Sequence, residues 1–482
     1  MKYGKLLISC CLLLAFNFSF AQKPEKALPV YDSLRKIYPD TNTLIKVAAI
    51  NLHGNRKTKG YIIMREVPFS KGDNISIGIL ESIMEQTRRN VFNTSLFSEV
   101  SVVPVVVAPQ EINIEITVLE KWYIYPTPQF QFADRNINEW LKTYHADFNR
   151  VIYGVKFTHY NFTGRSDQLR IYLLNGYSRA VSFGYNAPFG NTKLNEGFRI
   201  SGGYSQNREL PYKTTRDNAL LQYKKEGFVR NNWFVSLSYQ SRKGFFTRRI
   251  YTLSYNYMNV DDSVVSQKYN PGYFGGTKSA VGFPELSYVW QYGNVDHVNY
   301  PLEGTVLGFG ILKRGFGFKG GVNMLSFDVA AVKYMSHFNR RLFSSVQFYA
   351  RVKVPEEQAY INQRALGYGE LYLRGHEYYV IDGTMAALAK FTVKKKLLSF
   401  KIPVPLRIRQ LPNIPFTFFA KAYGDLGYCY NKSYESKLNN VLLYTGGFGI
   451  DILSVYGFTL NLEYSFDQLG KNGLFLHGRS GF

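Results

Sequence analysis

From about residue 122 to its end the chain alternates apolar and polar residues in short runs separated by turn residues. "VIYGVKFTHYNF", "NNWFVSLSYQS", "RRIYTLSYNYM", "LFSSVQFYARV" and "FTLNLEYSF" are representative. A period of two places successive side chains on opposite faces of a strand. Runs of roughly ten residues are the length of a tilted strand in a membrane barrel. Read back from Phe482, the pattern predicts strands near 473–482, 457–466, 442–453, 415–427, 383–393, 342–353, 322–335, 304–313, 284–293 and 246–260. It continues with 230–241, 196–207, 180–188, 168–176, 151–162 and 123–133, about sixteen strands in all. Segment 208–229, with "DNALLQYKKEG", is expected as an outer loop or a strand extension. An even count puts the long loops 134–150, 261–283, 354–382 and 428–441 at one end and turns such as "TGRSD" at the other. The exception is 394–414, expected as a long, basic, proline-containing inner connection.

Residues 44–121 follow a different pattern. "IKVAAINLHGN" alternates and ends in a turn, "TKGYIIMREVPF" reads as a short helix stopped by Pro68, and "SKGDN" reads as a turn. Leu80, Ile83, Met84, Thr87, Val91 and Phe92 recur at three-and-four spacing, one face of a helix over 77–92. "EVSVVPVVV" and "EINIEITVLEK" read as two strands. The predicted order is β-α-α-β-β, a small α+β domain.

The N-terminus adds an address. Lys2 and Lys5 precede an apolar run to Phe20, and Ser19-Phe20-Ala21 offers small residues before Gln22, so residues 1–21 are expected to be a cleaved signal peptide. Residues 22–43 are expected to be a linker. Cys429 is then the one remaining cysteine, so stability must come from hydrogen bonding and burial rather than disulfides. No later run of ~18 apolar residues predicts a membrane helix. The 38 Tyr and 37 Phe suit the aromatic girdles of a barrel. A net charge of +23 on an exported chain points to anionic lipid headgroups or lipopolysaccharide, not nucleic acid. Phosphate-cradling loops, paired Cys or His ligands and a nucleophile elbow are absent from the sequence, so neither enzyme activity nor a cofactor or metal is expected.

The words "LHGNRKT", "MREV", "KGD", "NTSLFSEV" and "INIEITVLEK" together resemble a POTRA domain, the periplasmic module of the BamA/TamA family. The resemblance implies a mainly β protein: one small α+β POTRA-like periplasmic domain (44–121) followed by a transmembrane antiparallel β-barrel of about 16 strands (122–482) in the bacterial outer membrane. It implies binding of client polypeptides or periplasmic partners by strand addition at a sheet edge, where unpaired N–H and C=O groups are offered.

Two motifs extend the resemblance into the barrel. "LYLRGHEYYVIDG", in the long loop before the fifth strand from the end, resembles the family's Arg-Gly motif through Arg374 and Gly375; His376 replaces the aromatic, with Tyr378 and Tyr379 nearby. "FFAKAYGDLGY" resembles the F-x-D-x-G strand through Asp425 and Gly427. The resemblance implies a loop folded into the lumen with Arg374 held by Asp425, a pairing that can be bidentate. The strand between them carries Lys390 where the family has a Glu, so Asp425 acts alone, or Glu370 or Glu377 takes over, or the register is shifted.

The seam between the first and last strands is expected to be weak. Pro126 and Pro128 lack N–H groups, and Gly473, Gly478 and Gly481 precede the terminal Phe482. In the family that seam is a lateral gate. The expected function is outer-membrane protein assembly or insertion, with a polypeptide-secreting transporter or a passive outer-membrane channel as alternatives. One POTRA-like domain is fewer than the main insertase carries, which favours a specialised paralogue.

Overall fold

A computed structural model describes residues 29–132, 145, 147–369, 371–404, 413–432 and 436–479. The N-terminal domain contains helices α1 (Pro29–Ile37), α2 (Gly60–Met64) and α3 (Ile77–Phe92) and strands β1 (Leu44–His53), β2 (Asn74–Ser76), β3 (Phe97–Ala108) and β4 (Glu111–Glu120). The strand order is β2-β1-β4-β3, with β1 parallel to β4. Alternation in β4 buries Ile112, Ile114, Ile116 and Val118, which pack with Leu80, Met84 and Val91 of α3. Two features go beyond the pattern. Residues read as the "SKGDN" turn end in β2, which pairs with the start of β1. Within the segment read as a linker, α1 adds Tyr31 and Leu34 to the same core.

The larger unit is a sixteen-stranded antiparallel sheet. Its strands are β5 (Ile124–Phe132), β6 (Val151–Tyr160), β7 (Gln168–Gly176), β8 (Ser178–Ala187), β9 (Glu196–Asn207), β12 (Arg230–Lys243), β13 (Thr247–Val260) and β14 (Ala280–Val295). They continue as β15 (Gly304–Arg314), β16 (Met324–His337), β17 (Leu342–Val354), β20 (Met385–Pro403), β21 (Asn413–Tyr430), β22 (Leu443–Leu453), β23 (Thr459–Asp467) and β24 (Asn472–Arg479). Each neighbours the next in this order. All sixteen coincide with the runs read from the period-two pattern. Two short ribbons, β10 (Glu209–Thr214) with β11 (Leu220–Lys224) and β18 (Arg364–Leu366) with β19 (Ile381–Asp382), lie in loops.

The outside of the barrel is apolar. On β12 and β13, Val235, Leu237, Tyr239, Tyr251, Leu253 and Tyr255 are exposed, while Ser238 and Thr252 between them turn inward and share a hydrogen bond. A soluble protein rarely shows so continuous an apolar surface, whereas a barrel in lipid requires it.

One predicted connection is corrected. Residues 394–414 were expected to be an inner loop, but β20 runs on to Pro403 and β21 starts at Asn413. The reason is that alternation persists beyond the lysines: Leu398, Phe400 and Ile402 pair with Phe418, Phe416 and Ile414. Segment 208–229 is resolved as the β10–β11 ribbon in the outer loop between β9 and β12.

The N-terminal domain is docked on the inner turns of the barrel. Glu66 is fully buried and takes a bidentate pair from Arg242 at 2.5 and 2.8 Å, with Arg65 at 3.3 Å. Arg65 also donates to the Leu194 carbonyl, and burial with the neighbouring Arg242 pulls its pKa down to about 10. Asn161 bonds Thr58, Asn93 bonds the Val295 carbonyl, and Lys121 stands over the Tyr456 ring. These contacts reach turns after β6, β8, β12, β14 and β22, so the domain spans the inner mouth. Glu66→Ala leaves two arginines facing each other without their carboxylate. It is expected to weaken docking by about 3 kcal/mol, seen as faster protease cleavage near residue 121 in the folded protein; an unchanged cleavage rate would remove Glu66 from the docking contact.

Loops pack together at the other end. Leu210, Tyr223, Val264, Tyr273, Phe274 and Phe283 form an apolar dome. The β10–β11 turn crosses to the opposite wall, where buried Asn218 bonds the Val380 carbonyl, Ser436 and the Leu438 amide.

Candidate functional site

The long loop between β17 and β20 enters the lumen and places Arg374 against β21. Its Nε and Nη2 donate to the two Asp425 oxygens at 3.0 and 2.5 Å, and its backbone N–H adds a third bond at 2.9 Å. Nη1 reaches Thr392 Oγ1 at 3.0 Å and Nη2 the Phe391 carbonyl at 3.3 Å. The guanidinium also lies 4.0 Å from the Tyr423 ring centroid. Arg374 is 9% exposed and Asp425 1%, so water does not screen the pair. A fixed fork suits such a site better than an ammonium would.

Two glycines permit this approach. Gly375 has φ +99°, and a Cβ there would lie 2.9 Å from the Ser465 Cβ on β23. A Cβ on Gly427 would lie 2.9 Å from Leu373 Cδ1. Gly375 needs the side chain to be absent, and a side chain at 427 would push the buried Leu373 aside.

Among the described residues, Asp425 is the carboxylate that holds Arg374. Lys390 sits opposite Asp425 in the β20–β21 register, but its Nζ lies over the Tyr372 ring at 4.5 Å. Glu377 turns elsewhere: it accepts from His477 of β24 at 3.0 Å. Glu370 lies outside the described residues. His376 is buried 3.8 Å from Asp467, and Tyr378 packs on Phe475 of β24 with centroids 5.4 Å apart. The loop is therefore fixed to β21 through Arg374 and touches the last two strands through Gly375, Glu377 and Tyr378.

A chain of charges continues from there. Glu463 receives His477 on one oxygen and Lys421 on the other, Lys421 pairs with Asp451, and Asp451 holds Lys394 and the Tyr300 hydroxyl. None of these was singled out in the sequence. Their signal was parity: Lys394, Lys421, Asp451, Glu463 and His477 all occupy lumen-facing positions of strands β20 to β24.

At the seam, β5 pairs with β6 and β24 with β23, and no ladder joins β5 to β24 among the described residues. Pro126 and Pro128 lie opposite Phe157 and Val155 of β6. Gly478 lies opposite Leu460 of β23. Gly481 and Phe482 lie outside the described residues. A cavity of about 350 Å³ separates the N-terminal domain from turns 296–303 and 454–458, and burial there pushes the Lys121 ammonium down to about 8.

A small α+β domain docked under a sixteen-stranded antiparallel barrel, with an arginine loop in the lumen, defines the class by its fold: a POTRA-like domain joined to a β-barrel. Residues 45–121 match the POTRA family, described as a surface antigen variable number repeat. CdiB from Escherichia coli is similar in structure, at 12% identity over 90% of this chain and 75% of that one, with a TM-score of 0.54. BamA from Haemophilus ducreyi lacking POTRA domains 1-3 aligns at 14% identity over 90% of this chain and 84% of that one, TM-score 0.49. CdiB from Acinetobacter baumannii aligns at 11% identity over 90% and 73%, TM-score 0.46. Among curated proteins none matches the sequence.

Proposed function

We propose that the chain is an outer-membrane assembly or insertion factor that handles polypeptides at the seam between β5 and β24. The observation that carries the reading is that the sixteen-stranded sheet has two ends among its described residues rather than a closing ladder. The covered inner mouth and the outer dome support it, because both leave the seam as the most direct way out of the lumen. The POTRA domain would face the periplasm and offer β3 as an edge for client or partner strands. Residues 122–482 would cross the outer membrane beside lipid and lipopolysaccharide. Energy would come from folding of the client, with no nucleotide, cofactor or catalytic group.

Secretion of a polypeptide through the lumen is the second reading, and the similarity in fold to CdiB from Escherichia coli favours keeping it. Depletion in cells separates the two. An insertion factor is expected to lower a set of outer-membrane barrels in the membrane proteome. A secretion transporter is expected to leave those levels unchanged and to remove one or a few proteins from the medium. If neither fraction changes, both readings are wrong.

A further inference from the structure

The β20–β21 hairpin is longer than its neighbours. Pairing of β20 with β17 stops at Lys395, opposite Leu342, and pairing of β21 with β22 stops at Thr417, opposite Leu453. Beyond these points the two strands pair with each other alone as far as Pro403 and Asn413. The free ribbon starts at an irregularity between Lys396 and Leu398, where Leu397 is an extra residue. Such a bulge bends a strand.

The two faces of the ribbon differ. Leu398, Phe400, Ile402, Ile414, Phe416 and Phe418 form one face, in phase with the outward side chains Phe391 and Val393 higher on β20. Leu398, Phe400 and Ile402 are 45%, 44% and 47% exposed. The Phe400 ring stacks on Phe416 and Phe418 at 5.6 and 6.0 Å. The other face carries Ser399, Thr417, Lys401 and Pro415, of which Lys401 and Pro415 line the cavity beneath the POTRA domain. An apolar face of this size in water would be an aggregation site, so something covers it.

Two occupants have the right chemistry, an added peptide strand or a lipid leaflet. The edges decide between them. Strand addition needs a run of backbone donors, and each strand of the ribbon carries a proline, Pro403 and Pro415, which lacks one. The apolar face is also continuous with the barrel wall, and Lys395, Lys396 and Lys401 border it. Amphipathic elements with apolar residues on one side and lysines around them rest at the headgroup boundary of anionic membranes. We propose that the β20–β21 ribbon is a membrane-surface element whose Leu398–Phe400–Ile402 face lies on the inner leaflet of phospholipid. This rests on the membrane reading of the barrel.

The test uses the full barrel with its POTRA domain, reconstituted in phosphatidylcholine–phosphatidylglycerol vesicles with doxyl-labelled phosphatidylcholine as quencher. Environment-sensitive dyes are placed by Phe400→Cys on the ribbon, Phe391→Cys on the barrel wall and Lys401→Cys on the opposite ribbon face. Cys429 is fully buried and does not compete for dye. The proposal expects the Phe400 probe to be quenched to within about twofold of the Phe391 probe, and the Lys401 probe several-fold less, as suits an apolar face seated ~5–10 Å deep. A quenched Phe391 probe beside an unquenched Phe400 probe overturns the ribbon proposal and spares the membrane reading. If both stay unquenched, the membrane reading falls as well. A photocrosslinking residue at position 400 that captures protein rather than lipid in cells also overturns it.

Discussion

Arg374→Ala is expected to lower the stability of the folded barrel by about 3–5 kcal/mol, the range for removing one partner of a buried ion pair. The mutation deletes two side-chain bonds to Asp425, the bond to Thr392 and the contact with Tyr423. It leaves the Asp425 carboxylate 1% exposed, with the backbone N–H of residue 374 as its one donor among the described residues. Arg374→Lys should recover part of the loss, because a lysine supplies charge without the fork. Asp425→Ala should cost as much as Arg374→Ala. The double mutant should cost clearly less than the sum, a coupling on the order of 2 kcal/mol, since neither charge then remains stranded. Denaturant midpoints of the detergent-folded barrel measure all four. A single-mutant loss under about 0.5 kcal/mol would mean that the loop is held by its other contacts and that Arg374 is not the anchor.

The parts of this molecule that were legible in the sequence are those with local periodicity. Each strand of a barrel must alternate between lipid and lumen along its own length, so sixteen strands announce themselves one at a time. Helix α3 did the same through its three-and-four spacing. The β20–β21 extension was missed because a lysine triplet, Lys394 to Lys396, looks like a loop when its partners are unknown. In the fold Lys394 pairs with Asp451, two strands along the same wall, on the lumen side, so a charge there belongs in a strand.

The site was legible in part, and for a different reason. Arg374 and Asp425 were reached by resemblance, through words that flank them. The docking pair Glu66 and Arg242 lies 176 residues apart and Glu377 and His477 lie 100 apart. Neither pair has a local signal, because each residue alone reads as an ordinary solvated charge. Lys390 left the arrangement of the lock open, because it stands where the family carries a Glu. In the fold its ammonium lies over the Tyr372 ring. A ring can stand where a carboxylate is expected, and spacing alone does not reveal which.

Locking the seam is expected to abolish function while leaving the barrel folded. Pro126 on β5 and Gly478 on β24 lie toward the same, inner end of the two terminal strands, since β5 starts there and β24 finishes there. Cysteines at these two positions, joined by a short bifunctional crosslinker, would tie the ends of the sheet together. If client strands pair at β5 and β24, activity scales with the fraction of molecules whose seam can open, and a covalent tie removes that fraction. A loss on the order of tenfold or more follows, restored by a reducible linker once it is cleaved. The discriminating power comes from the alternatives. A transporter that passes its cargo along the lumen needs the loop and the POTRA plug to move, not the seam, so the tie should spare secretion. A passive channel should conduct equally in both states. The same logic ties the lumen loop to the proposed gate. Glu377 and Tyr378 touch β24, and Gly375 touches β23, so the loop anchored at Asp425 braces the last strands from inside. The crosslink should therefore mask Arg374→Ala: in the tied protein, releasing the loop should change activity little, because the seam is already fixed. An Arg374→Ala effect of equal size in tied and untied protein would place the loop on a separate path from the gate.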